Sequence, residues 1–100
     1  MTSQSSVEQG ATVRANLGLV SMVVNQGVGG RRFLPGTAEH EDDTQAGVIG
    51  LASAVATWDP SLARLSTWAV PAIRWAIQND RSARWGSGYR RSQERYEWYR

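Results

Sequence analysis

The stretch RLSTWAVPAIRWAI, residues 64–77, constrains the fold of this chain most, because its apolar side chains recur with the period of an α-helix. Trp68 and Trp75 fall on one side of such a helix, next to Arg74. At about 100° per residue, the small and aliphatic side chains gather on the other side: Leu65, Ala69, Ala72, Ile73, Ala76 and Ile77. The spacing predicts a helix over residues 66–80 that buries its aliphatic face and holds two tryptophans away from it.

Two further stretches have helical spacing. Residues 12–25 carry valines and a leucine at intervals of three and four. Residues 42–57 begin with Asp42 and Gln45, which resemble a capping box. This second stretch has an apolar stripe formed by Val48, Ile49, Ala52, Val55 and Ala56. Three apolar stripes in a chain of 100 residues predict an all-α fold, a single small helical domain.

The distribution of polar and breaking residues predicts three parts. Residues 1–11 are polar and rich in serine and glutamine, which is typical of a disordered leader. Residues 12–85 form the helical domain, interrupted by a long loop at 26–41 that is dense in glycine and charge. Residues 86–100 form a basic tail or a short helix.

Composition excludes several function classes. The chain has no cysteine, so disulfides, zinc–thiolate sites and cysteine catalysis are excluded, and a reducing cytoplasm is the natural compartment. All basic residues are arginine, which excludes a Walker-type phosphate loop and lysine nucleophiles. The longest apolar stretch, LGLVSMVV, is too short to span a bilayer, so we expect no membrane partner.

The charges are unevenly placed. Residues 1–73 hold four arginines and six acids, whereas residues 74–100 hold seven arginines and three acids. A basic final third suits a polyanionic partner, although a solvated basic tail is the more ordinary interpretation of charge alone.

The strongest enzymatic candidate is EHEDD, residues 39–43, where the only histidine stands among four carboxylates. Such a cluster suits a divalent metal, but acids are also favoured at a helix start by the helix dipole. No second ligand cluster and no nucleophile motif accompany it. We therefore predict no catalytic residue, no metal site and no cofactor.

The tryptophans of the third helix have two interpretations. They could cover a second hydrophobic cluster against the first helix, because tryptophan is usually mostly buried. Alternatively, they form a surface on which unstacked bases stack while arginines hold the phosphate backbone. Periodicity alone does not separate the two.

Residues 42–77, DDTQAGVIGLASAVATWDPSLARLSTWAVPAIRWAI, resemble region 2 of bacterial RNA polymerase sigma factors. The family pattern is matched at Asp42 and Gln45, at the turn Asp59–Pro60, and along the STxA…IRxxI run of the third helix. NLGLV, residues 16–20, resembles the start of the same region. The match is ordered over more than thirty residues, which makes it more specific than a lone short motif.

The resemblance implies a helical domain that docks on the clamp coiled coil of the polymerase β′ subunit. It also implies capture of the non-template strand of the −10 promoter element, with one adenine flipped into an aromatic pocket. Trp68 matches the aromatic platform, and Trp75 and Gln78 match positions that read the double-stranded edge. The predicted DNA-binding set is Arg64, Thr67, Trp68, Arg74, Trp75, Gln78 and Arg81. The predicted polymerase-binding set is Asp42, Gln45, Ala46, Val48 and Ala52.

The sequence also departs from the family pattern. Ala46 replaces a docking glutamate, Trp75 replaces a polar base reader, and the loop before Asp42 is about six residues longer than usual. The 100 residues contain no helix-turn-helix for a −35 element, and an anti-sigma protein or a second subunit that supplies −35 recognition is an expected further partner. Two functions remain open: a minimal bacterial or phage sigma-like factor that binds a −10-like sequence, and a truncated sigma mimic that binds the clamp without reading DNA.

Overall fold

The computed structural model describes residues 6–85, which form four α-helices and no β-strand. The helices are α1 (Ser6–Ala15), α2 (Leu17–Gln26), α3 (Ala38–Thr57) and α4 (Leu65–Trp85). The long helices α3 and α4 make the most extensive contact, and α1 and α2 pack against this pair. The predicted all-α fold is therefore confirmed.

Two glycines of α3 allow α4 to approach closely. A Cβ atom on Gly50 would lie 2.8 Å from the carbonyl oxygen of Ala72 and 2.8 Å from the Cβ of Ala76. A Cβ on Gly47 would lie 2.7 Å from Val20 in α2. Because real Cβ contacts are longer than this, α3 supplies a groove of bare backbone into which its neighbours pack.

The core lies between α2, α3 and α4. Its central side chains, Val23, Leu51 and Ile73, are fully inaccessible to solvent. The predicted aliphatic face of α4 is largely confirmed, because Leu65, Ala69, Ile73 and Ile77 are buried and Ala72 packs partly against the core.

The first part of the chain differs from the prediction. Helix α1 begins at Ser6, inside the segment predicted as a disordered leader, and residues 1–5 lie outside the described part of the chain. The helix predicted over residues 12–25 is broken at Asn16, whose side-chain amide donates a hydrogen bond to the carbonyl of Thr12 at 2.8 Å. Most of helix α1 was not predicted, because the prediction relied on apolar stripes. Its sequence is mostly polar and none of its residues is buried.

Helix α3 begins earlier than predicted and buries a different face. Thr37 is the N-cap, and its hydroxyl oxygen accepts a hydrogen bond from the backbone N–H of His40. The proposed cap at Asp42 is therefore wrong, and the loop is shorter than the predicted 26–41. Of the predicted apolar stripe, Val55 is buried, whereas Ile49 is 69% exposed. The buried face consists mainly of small residues, which let α4 come close.

Helix α4 begins at Leu65 and runs five residues beyond the predicted end at 80. It continues through Pro71, an exposed residue whose missing N–H leaves the carbonyl of Thr67 without its usual partner on the solvent side. The predicted tail at 86–100 lies outside the described residues.

Candidate nucleic-acid interface

Both predicted tryptophans of α4 are exposed. Trp68 is 47% and Trp75 is 68% exposed, although both belong to the residue type with the largest apolar surface. The alternative in which they cover a second buried cluster is therefore wrong for residues 6–85. The two indoles, seven residues apart on one helix, form what we term the aromatic face.

Trp68 is held in place by the end of α3. Its indole Nε1 donates a hydrogen bond to the hydroxyl oxygen of Thr57 at 3.2 Å. A shallow depression lies beside the ring, with Ser53 and Thr57 of α3 on one side and Pro71 and Ala72 of α4 on the other. The indole is thus oriented but keeps an open face, as a stacking platform requires.

The turn between α3 and α4 fixes the start of the aromatic face. Trp58 packs partly against the core, and its indole N–H donates to the carbonyl of Ala63 at 2.8 Å. The carboxylate of Asp59 accepts from the hydroxyl and the backbone N–H of Ser61, at 2.7 and 2.9 Å. These two hydrogen bonds, the one from the hydroxyl foremost, lower the pKa of the Asp59 carboxyl. The turn is closed by side chains at both ends.

The other predicted DNA-binding residues of α4 are placed unequally. Arg64 and Thr67 are exposed at the start of the helix, and Gln78 is half-buried. Arg74 is exposed, and its guanidinium donates to the side-chain oxygen of Gln26, the last residue of α2, at 3.3 Å. This hydrogen bond ties the end of α2 to the border of the aromatic face.

Arg81, which the sequence placed on the phosphate-binding side, is buried and is only 1% exposed. Its guanidinium pairs with the buried carboxylate of Asp43, with an Nε–Oδ1 distance of 3.1 Å. It also donates to the carbonyls of Val28 and Arg31, at 2.7 and 3.2 Å. A guanidinium engaged in this way cannot reach a DNA phosphate, so its assignment to the DNA-binding set is corrected.

Two acids of the cluster in α3, Asp42 and Asp43, are engaged in the same network. Arg84 contacts Asp42 at 3.2 Å, Asp43 at 3.4 Å and Asp80 at 2.8 Å. Within residues 6–85, no group of three or more histidine or acidic side chains is arranged to hold a metal ion. The carboxylates of Asp42 and Asp43 serve ion pairs that join α3 to α4.

The predicted polymerase-binding residues of α3 also differ in their exposure to solvent. Gln45 and Ala52 are exposed and Val48 is half-buried. Ala46 is buried at 6% exposure, so its side chain cannot contact a partner and its assignment is corrected. The prediction missed Ile49, which lies between Gln45 and Ala52 on the exposed side of α3. The intervals that separate Ile49 from Gln45 and Ala52 indicate this side of α3. The prediction placed Ile49 in the core-facing stripe because it is large and apolar.

Comparison with known families agrees with this arrangement of helices. The model of the sigma-70 region 2 family matches residues 30–86, more than half of the chain. No curated protein and no solved structure matched in the corresponding searches. The chain belongs to the sigma-70 region 2 family and carries a sigma-factor-like region that acts in transcription initiation. The family match begins at residue 30, so the resemblance of residues 16–20 to the start of region 2 stays a prediction.

Among residues 6–85, no helix combines the length and apolarity that crossing a bilayer requires.

Proposed function

We propose that this protein binds core RNA polymerase through α3 and captures a −10-type promoter strand on the aromatic face. The observation that carries the proposal is the exposure of Trp68 and Trp75 on one side of α4, beside Arg74. Two large indoles in water are unfavourable unless they serve a contact, and unpaired bases offer flat apolar surfaces to them.

The proposed roles follow from the placement of each side chain. Trp68 stacks with an extruded base, and Thr57 keeps the indole in position through its hydrogen bond. Trp75 contacts the adjoining nucleotides, while Arg74 and Arg64 contact phosphates from exposed positions. Extruding a base costs a few kcal/mol, which stacking in a fitted site offsets.

Polymerase docking is assigned to the exposed side of α3. Gln45, Ile49 and Ala52 follow one another at intervals of four and three, so they share one stripe of the helix. Ile49 supplies an exposed aliphatic anchor, and Gln45 supplies a polar rim. We propose the β′ clamp coiled coil as the partner of this stripe, and the bacterial cytoplasm as the place of action for a bacterial or phage-encoded protein.

The DNA-binding role is tested with Trp68→Ala and a −10-like single-stranded oligonucleotide. Loss of a stacked base should weaken binding by about 1–3 kcal/mol, or about 5- to 150-fold. Thr57→Val keeps the shape of the side chain but removes the acceptor, so we expect a smaller loss in the same direction. Leu62→Ala, at a residue 79% exposed in the turn before α4, is the matched control and should leave affinity unchanged. Unchanged affinity of the Trp68→Ala protein would refute the stacking role.

The docking role is tested separately by capture of core polymerase. Ile49→Asp should weaken capture while leaving single-strand binding intact, because Ile49 neither bonds Trp68 nor lines the depression beside its ring. Val7→Asp, at a 79% exposed residue of α1, is the control. A protein that captures polymerase in competition with a sigma factor, yet shows no sequence-dependent strand binding, would instead be the clamp-binding mimic.

A further inference from the structure

We propose that residues 27–32, here termed the basic turn, form a fixed contact for the phosphates of double-stranded DNA next to the aromatic face. This inference rests on the proposed DNA-binding function and extends it to a segment outside the predicted site. The basic turn, GVGGRR, contains adjacent arginines at Arg31 and Arg32, both exposed.

The backbone of the basic turn is a tight hairpin. Val28 and Arg31 exchange two backbone hydrogen bonds, each of 3.0 Å. Gly29 and Gly30 between them have φ of 60° and 74°, the left-handed region that a two-residue turn of this kind requires. The side chain of Val28 is buried, which anchors the turn to the core. The turn thus has a defined shape from which Arg32 projects.

Buried Arg81 fixes the basic turn to α4. Its guanidinium donates to the carbonyls of both Val28 and Arg31, and the carboxylate of Asp43 balances its charge. Its guanidinium carbon also lies 5.0 Å from the ring centre of Phe33, the residue after the turn. A fixed backbone reduces the entropy lost when a side chain that it carries binds a partner.

The contacts with α4 place the turn beside the aromatic face. Gln26, immediately before the turn, accepts a hydrogen bond from Arg74, and Arg81 holds the turn itself. Arg74 and Arg81 are seven residues apart, so they lie on one stripe of the helix and span roughly 10 Å. Trp75 is rotated by about 100° from Arg74. The turn therefore lies beside the second half of α4, next to the position of Trp75 on the helix.

Charge and chemistry favour double-stranded DNA as the partner of the basic turn. Arg84 forms ion pairs with Asp42 of α3 and Asp80 of α4, so it offsets part of the negative charge near the turn. The basic turn itself has no aromatic side chain on which an unpaired base could stack. A duplex hides its bases and presents closely spaced phosphates, about one charge per 1.7 Å of axis, which suits a guanidinium on a rigid turn.

The experiment compares two DNA probes over a range of salt concentrations. One is a −10-like single strand, and the other is the same strand continued into a duplex on its upstream side. For Arg32→Ala, we expect the slope of log affinity against log salt to become shallower by about 0.9 for the duplex-bearing probe. The slope for the single strand should not change. Arg32→Lys keeps the charge and should restore most of the slope.

Arg14→Ala is the matched control, because Arg14 is exposed on α1. An Arg32→Ala slope equal to that of Arg14→Ala on the duplex-bearing probe would overturn the inference. So would an equal loss on both probes, or a loss of polymerase capture alone. If Trp68→Ala weakens strand binding while Arg32→Ala changes nothing, only the basic-turn inference fails. If the unaltered protein binds neither probe, the proposed function itself fails.

Discussion

The buried ion pair between Asp43 and Arg81 predicts a large and specific stability loss. In Asp43→Asn, the side chain keeps its shape but loses its charge, which leaves the Arg81 guanidinium 1% exposed and without its counter-ion. The carbonyls of Val28 and Arg31 would still accept hydrogen bonds, but they carry no charge. Breaking a buried pair from one side costs about 3–5 kcal/mol in comparable cases.

That loss is a large part of what a domain of this size possesses. Native domains are stable by about 5–15 kcal/mol, and 1 kcal/mol shifts the Tm of a domain of 60–100 residues by about 4–8 °C. We therefore expect Asp43→Asn to lower Tm by at least about 12 °C. Urea unfolding, followed by circular dichroism, would measure the loss in free energy of unfolding. Thermal unfolding would measure the shift in Tm independently.

The control is Arg84→Ala, which removes the partly exposed member of the same network. The Arg84 side chain is 24% exposed, so its loss should cost about 1 kcal/mol or less. Replacing both buried partners, in Asp43→Leu with Arg81→Met, should recover part of the stability lost in the single variant. If Asp43→Asn costs no more than Arg84→Ala, the pair behaves as a surface pair and the argument from burial is refuted.

Two further perturbations probe the packing and the turn. Gly50→Ala should lower the free energy of unfolding in urea by about 1–3 kcal/mol, because the added Cβ would collide with the backbone of α4. Gly18→Ala, where the added Cβ meets nothing within 4 Å, should raise it by about 0.4–1 kcal/mol. Equal effects of the two substitutions would refute the close approach of α3 and α4. Ser61→Ala should raise the pKa of Asp59 towards its ordinary value, as followed by NMR titration, because the strongest donor to the carboxylate is removed. Since the folded pKa is lowered, the contribution of Asp59 to stability is present above the unfolded pKa and is lost as pH falls through the folded one. An unchanged Asp59 titration would assign the shift to another cause.

The helix α4 was predictable because its pattern is redundant. Leu65, Ala69, Ile73 and Ile77 repeat at intervals of four, and this spacing alone fixes which side faces the core. The same geometry turns Trp68 away from this core, but its exposure also depends on whether another element covers that side of α4, which periodicity alone does not decide. The order of family positions along residues 42–77 supplied the remaining information about the site.

Arg81 was not predictable from the same periodicity. Its position on the helix wheel is close to that of Arg74, yet Arg74 is exposed and Arg81 is buried. The difference arises from the basic turn and from Asp43, which lie 50 and 38 residues away in the chain. Helical spacing describes one element, whereas burial of an arginine depends on what another element brings to it.

The error in α3 has a related cause and connects the core to the site. Sequence hydrophobicity placed Ile49 inward, but α4 approaches the backbone of α3 most closely at Gly47 and Gly50, which contribute no apolar side chain. The helices approach closely at these glycines, and the tryptophans of α4 lie outside this contact. The same approach brings the last turn of α3 within hydrogen-bonding distance of Trp68. Small residues in the core therefore help to orient the platform on which we propose that a promoter base stacks.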